Sequence, residues 1–123
     1  MATQDPFDGP DLSGTRYERA NMSSARFDGV NLADASFYAV MTGAVFTNTN
    51  LGSARFDDVN LHQVSFHNVN LSNAAISNAN LSGMTISQAT LAGCEISDAD
   101  LTGMKINGVL VSDLFEAYER AKG

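Results

Sequence analysis

An apolar residue recurs every five positions along almost the whole chain, and this period constrains the fold more than any other feature. From Phe7 it passes through Leu12, Tyr17, Met22, Phe27, Leu32 and Phe37, and then takes a single step of four to Met41. Steps of five resume through Phe46, Leu51, Phe56, Leu61, Phe66, Leu71, Ile76, Leu81, Ile86, Leu91, Ile96, Leu101, Ile106 and Val111. All 22 positions are apolar in a chain whose hydrophobic content is 44%, an outcome on the order of 10⁻⁸ by chance. A period of five matches neither the 3.6-residue turn of a helix nor the two-residue alternation of a strand. The backbone must therefore turn a corner once per repeat.

A second rule applies two residues before each centre, where Ala20, Ala25, Val30, Ala35, Ala39, Ala44, Ala54, Val59 and their successors to Val109 are small or slim. Such residues imply a crowded inward slot beside each large side chain. The position just before the centre is often Asn, as at Asn21, Asn31, Asn50, Asn60, Asn70 and Asn80, with Asp11 and Asp100 in the same place. Runs such as Ala20-Asn21-Met22, Val30-Asn31-Leu32, Val59-Asn60-Leu61 and Ala79-Asn80-Leu81 resemble the A-(D/N)-L-x-x signature of pentapeptide-repeat proteins, over about residues 5 to 111.

The resemblance implies an all-β solenoid, a right-handed quadrilateral parallel β-helix with four pentapeptides to the coil and about five coils. The sequence adds a longer alternation, because Leu or Met centres alternate with Phe, Tyr or Ile. Every fourth centre then stacks: Leu12, Leu32, Leu51, Leu71, Leu91 and Val111 on one side, facing Met22, Met41, Leu61, Leu81 and Leu101. Between them stand Tyr17, Phe37, Phe56, Ile76 and Ile96, opposite Phe7, Phe27, Phe46, Phe66, Ile86 and Ile106. Aromatic ladders fill the first coils and Ile ladders the last.

Both ends of such a column need covering. Residues 1–6 are expected to form the N-terminal edge, and Pro6 and Pro10, which lack an N–H, suit a first rung with nothing below it. After the β-helix of residues 1–111, residues 112–123 read as a short capping α-helix of the same domain. Ser112 or Asp113 is expected to cap it, with Glu116 completing a capping box. Arg120 and Lys122 stand where the helix dipole favours cations. Leu114, Phe115, Tyr118 and Ala121 share one face, expected to lie as a lid on the last coil near Leu91 and Ile106. A monomer is expected on that reading, and a dimer through this helix is the alternative.

Fourteen acids against seven bases give a net charge of −7, which opposes binding to nucleic acid or an anionic membrane. No apolar run approaches the ~20 residues of a membrane span. The start, Met1-Ala2-Thr3-Gln4-Asp5-Pro6, lacks the basic and apolar regions of a signal peptide, so a cytoplasmic location is expected. Cys94 alone excludes an internal disulfide, and in an inward slot it reads as a buried, inert thiol. His62 and His67, each one residue after a centre, face outward and would need Asp57 and Asp58 to complete a zinc site. Solvated repeat positions are the simpler account of both. No triad, P-loop or Gly-rich phosphate cradle is present. The expectation is a non-enzymatic chain without cofactor or metal.

Function is less legible. The leading expectation is a protein-interaction or scaffold module with an unknown protein partner. The alternative is a DNA-mimicking regulator of a type II topoisomerase such as DNA gyrase, an activity known among proteins that the chain resembles. Mimicry needs acids spread along the column at the density of phosphates, one charge per ~1.7 Å. Between Val59 and Cys94 there is no Asp, Glu, Lys or Arg, so the acids form two separate groups. Around the four-residue step, outward positions turn apolar. Tyr38, Val40 and Val45 are therefore the candidate partner patch.

Overall fold

The computed structural model describes residues 10–122; Phe7 and Pro6 lie outside the described residues. Nine parallel strands climb the column: β1 (Arg16–Asn21), β2 (Arg26–Asp28), β3 (Ser36–Val40), β4 (Val45–Asn50), β5 (Arg55–Asn60), β6 (Ser65–Asn70), β7 (Ala75–Asn80), β8 (Thr85–Thr90) and β9 (Glu95–Asp100). Two short strands, β10 (Lys105–Ile106) and β11 (Val109–Leu110), and a helix, α1 (Val111–Lys122), follow. Apart from β10 and β11, strands do not pair with their sequence neighbours. One sheet has the order β1-β3-β5-β7-β9 and the other β11-β10-β8-β6-β4-β2, so each parallel pairing joins one coil to the next.

The five-residue step is a corner with a left-handed residue, and corners of two kinds alternate. After a Leu or Met centre the chain makes a hydrogen-bonded turn, as where Val64 N–H donates to the Leu61 carbonyl (3.1 Å) and Met84 N–H to Leu81 (3.1 Å). The third residue of each such turn has positive φ, 58° at Gln63 and 70° at Gly83, the geometry that favours Gly. After a Phe or Ile centre the corner is a single left-handed residue inside the strand, such as Asp58 (φ 56°), Asn68 (53°) or Asn78 (50°). The ten-residue alternation in sequence thus records two ways of turning.

The Asn before each Leu centre also has a physical role. Asn60 Oδ1 accepts the N–H of His62 (3.0 Å) and Asn80 Oδ1 that of Ser82 (3.0 Å), closing an Asx turn into the corner. Spare amide hydrogens bind the coil below, Asn70 to Asn50 (3.1 Å) and Asn50 to Asn31 (3.3 Å). A second ladder descends from Asn68 to Asn48 (2.7 Å) and ends on the Asp28 carboxylate (2.9 Å).

Inside, the aromatic centres stack as expected. Tyr17, Phe37 and Phe56 form one pile, with ring centroids 5.0 and 4.6 Å apart, and Phe27, Phe46 and Phe66 another, at 4.9 and 5.0 Å. The piles meet edge-on across the column, Phe37 to Phe46 at 6.3 Å and 89°, Phe56 to Phe66 at 6.3 Å and 88°. Each such pair contributes ~0.5–1.5 kcal/mol beyond its buried area. Leu32, Leu51, Leu61, Leu71 and Leu81 are fully buried, whereas Leu12 and Leu101, at the ends, are only partly so. Burial by neighbouring coils is the mark of a solenoid.

The C-terminus departs from expectation. Regular coiling stops at Ile106, because Asn107 and Gly108 turn the chain back and β11 runs antiparallel to β10. Val109 is therefore 45% exposed rather than inward. The helix begins at Val111, itself buried, whose N–H donates to the Met104 carbonyl (3.0 Å). Ser112 and Asp113 thus lie within the first turn instead of capping it, and Glu116 pairs with Arg120 one turn on instead of completing a box. The lid is not formed either: Leu114, Phe115 and Tyr118 are 46%, 56% and 61% exposed. Reversal at Gly108 closes only the β10 side, and Ile96 on β9 stays 38% exposed.

Candidate functional site

One corner of the column is incomplete. Stepping up the β1-β3-β5-β7-β9 sheet, the left-handed corner residue is Arg19 in β1, Asp58 in β5, Asn78 in β7 and Asp98 in β9. In β3 it is missing, because the four-residue step takes the chain from Tyr38 straight to Ala39. Strand β3 has five residues where β1, β5, β7 and β9 have six. The pairing registers show the consequence. Arg19 is left out between Glu18↔Tyr38 and Ala20↔Ala39, and the next coil jumps from Phe37↔Phe56 to Val40↔Asn60. Contacts spanning the step are offset by 19 residues in place of 20, as between Asp28 and Thr47.

A second irregularity falls on the same strand. Val40 occupies the Asn place, paired with Asn21 below and Asn60 above, and a Val side chain can neither close an Asx turn nor extend an amide ladder. Tyr38 and Val40, two residues apart on a strand, are each 45% exposed. Around them the missing corner leaves two adjoining clefts of about 400 and 520 Å³, which share Tyr38 and Asp58. Arg16, Glu18, Arg55 and Asp57 line the first, and Arg19, Asn21 and Asn60 the second.

Three of the chain's seven basic residues thus gather at one recess of an acidic protein. Arg16 is paired with Glu18 at 3.0 Å. Asp57 is held by the coil above: the Asn78 amide (3.0 Å) and the Ser77 hydroxyl (3.0 Å) donate to it and keep its carboxyl below the ordinary value. Arg19 and Asp58, on either side of the gap, form no ion pair among the described residues.

Of the residues singled out in the sequence, Tyr38 and Val40 lie in this recess and Val45 does not. Val45 is half-buried on β4, in the other sheet, between Arg26 and Ser65. Arg19 was not singled out, and Asp58 only as one of the carboxylates a zinc site at His62 and His67 would need. The signal existed, because both occupy the corner position that β3 lacks, but it emerges only after the coils are aligned across the four-residue step.

The remaining candidates are absorbed by the column. His62 Nδ1 meets Ser82 Oγ (2.7 Å), and Ser82 in turn donates to Asn80 (2.7 Å), so the imidazole is the donor of that pair. His67 Nδ1 meets Ser87 Oγ at 2.8 Å. Among the described residues no three His, Cys, Asp or Glu side chains converge on a metal-sized site. Cys94 is half-buried against the core, and burial, with the Glu95 carboxylate adding, pushes its thiol pKa up. No described helix is long and apolar enough to cross a membrane.

The geometry defines a four-cornered parallel β-solenoid of about five coils with a C-terminal helix. Residues 39–115 match the pentapeptide repeat region and residues 7–40 the pentapeptide repeats (8 copies), and the chain belongs to the pentapeptide-repeat family. No curated protein sequence gives a significant match. Among solved structures, a pentapeptide repeat protein from the Arabidopsis thaliana thylakoid lumen is similar at 28% identity and a TM-score of 0.73, over 89% of this chain and 73% of that one. Rfr23 from the cyanobacterium Cyanothece 51142 matches at 19% identity and a TM-score of 0.32, over 80% and 84%. QnrB1, a plasmid-mediated fluoroquinolone resistance protein, matches at 15% and 0.30, over 98% and 92%.

Proposed function

We propose that the chain is a non-enzymatic interaction module that holds a protein partner on the β3 face. The observation that carries this reading is the exposure of Tyr38 and Val40, 45% each, where both the corner residue and the Asn ladder are interrupted. Elsewhere the described strands of this sheet present Arg, Glu, Asp, Asn, Ser or Ala outward, and Ile96, an inward position at the open end, is the other exposed large apolar side chain. An apolar pair flanked by charged side chains has the composition of a small recognition patch.

The test is quantitative affinity capture from the cells that make the protein, with wild type and the Tyr38→Ser/Val40→Ser double variant as baits. Both side chains are exposed, so the column should be unaffected. A protein held by wild type and lost by the variant supports the reading; retention of every captured protein by the variant removes it. The topoisomerase alternative has less support. Between Val59 and Cys94 the surface carries no ionisable side chain but His62 and His67, and no continuous acidic stripe can cross it. We expect micromolar protein to leave gyrase supercoiling unchanged, with and without a quinolone.

A further inference from the structure

We infer that the occupant of the β3 recess is a stretch of extended polypeptide from the partner, lying where the missing corner would have run. The inference rests on the reading of this face as an interaction surface, and it specifies the chemistry recognised.

Arg19 and Asp58 occupy one corner two ladder spacings apart, about 9.5 Å, with β3, one residue short at that corner, between them. One offers only donors and the other only acceptors. An extended chain has two hydrogen-bonding edges, each presenting both C=O and N–H groups. Laid over the shortened corner of β3, it gives a carbonyl to the Arg19 guanidinium on one edge and an N–H to the Asp58 carboxylate on the other. A simple ion fits poorly. Asp58, Asp57 and Glu18 oppose a phosphate or carboxylate, and Arg19, Arg16 and Arg55 oppose an ammonium. A neutral dipolar ligand satisfies both signs, and the peptide group is the commonest one. Tyr38 and Val40, at the two-residue spacing of a strand, form an apolar floor against which alternate side chains of the segment can pack.

A phage library of random linear peptides, selected on the full chain and followed by fluorescence polarisation with the enriched peptides, tests this directly. One competitor is a chain with Asn inserted between Tyr38 and Ala39, which restores the five-residue step with a residue that other corners use at the same geometry (Asn48, Asn68, Asn78). The other is the Arg19→Ala/Asp58→Ala variant, which keeps the backbone and decides the matter should the insertion fail to fold. Enriched peptides that lose at least about tenfold in affinity for both variants bear the inference out, since two charge-assisted hydrogen bonds are removed. A failure to enrich any peptide overturns it, as do peptides that bind the variants as tightly as wild type. If cellular capture still shows a partner lost by Tyr38→Ser/Val40→Ser, the interaction module stands and only its peptide-binding mode falls.

Discussion

A single side chain in this column answers to the coils above and below it. Phe56 is fully buried, stacked on Phe37 at 4.6 Å and edge-on to Phe66 at 6.3 Å. Phe56→Ala should cost ~3–5 kcal/mol in urea unfolding, because rigid ladders on both sides cannot collapse into the cavity. Leu61→Asp should cost more, since it places an unpaired charge inside. Carboxylates on the surface make a different prediction. Asp28 accepts from Thr47 (2.8 Å) and Asn48 (2.9 Å), and Asp57 from Asn78 and Ser77, so both titrate below the ordinary carboxyl range. A depressed folded-state pKa adds stability above the unfolded value, near pH 4, and loses it as pH falls through the folded value. Urea midpoints should therefore drop below about pH 4, and Asp28→Asn/Asp57→Asn should flatten that acid limb at the cost of a lower midpoint at pH 7. An acid limb unchanged in the double variant would contradict this. The core residues were legible in the sequence because a five-residue apolar period has few other causes. The purpose of the Asn was not, since one residue both closes a turn two residues on and donates to the coil below, where its partner is about twenty residues away.

Among the elements, strands were easier to read than the helix. Each strand inherits its register from the same twenty-residue repeat, so one assignment fixes all of them. The helix has no such template. Its apolar face suggested a lid, but whether a face is used depends on where the preceding turn aims it, and Gly108 with antiparallel β11 aims it away. Leu114→Ser/Phe115→Ser/Tyr118→Ser should accordingly leave the urea midpoint of the column within about 0.5 kcal/mol of wild type, as exposed substitutions do. Val111→Asp, at the one buried helix position, should unfold the C-terminal end, seen as a loss of amide protection in β10 and β11. A large shift from the triple variant would mean that the helix does cover the last coil. The candidate site was legible in part for a related reason. Apolar residues at an irregular step stand out in a list of residues, which found Tyr38 and Val40. The charged rim of Arg19 and Asp58 belongs to other coils and appears only once the coils are stacked, and Val45 lies apart from the recess because a corner separates it from Val40.

At the scale of the whole molecule, the column is close to one-dimensional, each coil touching only its neighbours. Removing residues 61–80 joins Asn60 to Leu81 in register and should give a shorter folded column, its urea m-value lower by about one fifth. Removing 61–78 shifts the repeat and should abolish cooperative unfolding; equal behaviour of the two deletions would contradict the solenoid's additivity. The same regularity gives the skipped corner its meaning, because a recess in a repeating surface is singled out by what the other coils have in its place. We propose that a partner is held at this recess rather than at the charged ends or the helix. Hydrogen-exchange footprinting of the full chain with its captured partner tests it most directly. New protection is expected over Ser36–Met41 and at the Arg19 and Asp58 corners, with the helix unchanged. Protection confined to Val111–Lys122, or to the uncharged belt between Val59 and Cys94, would contradict it.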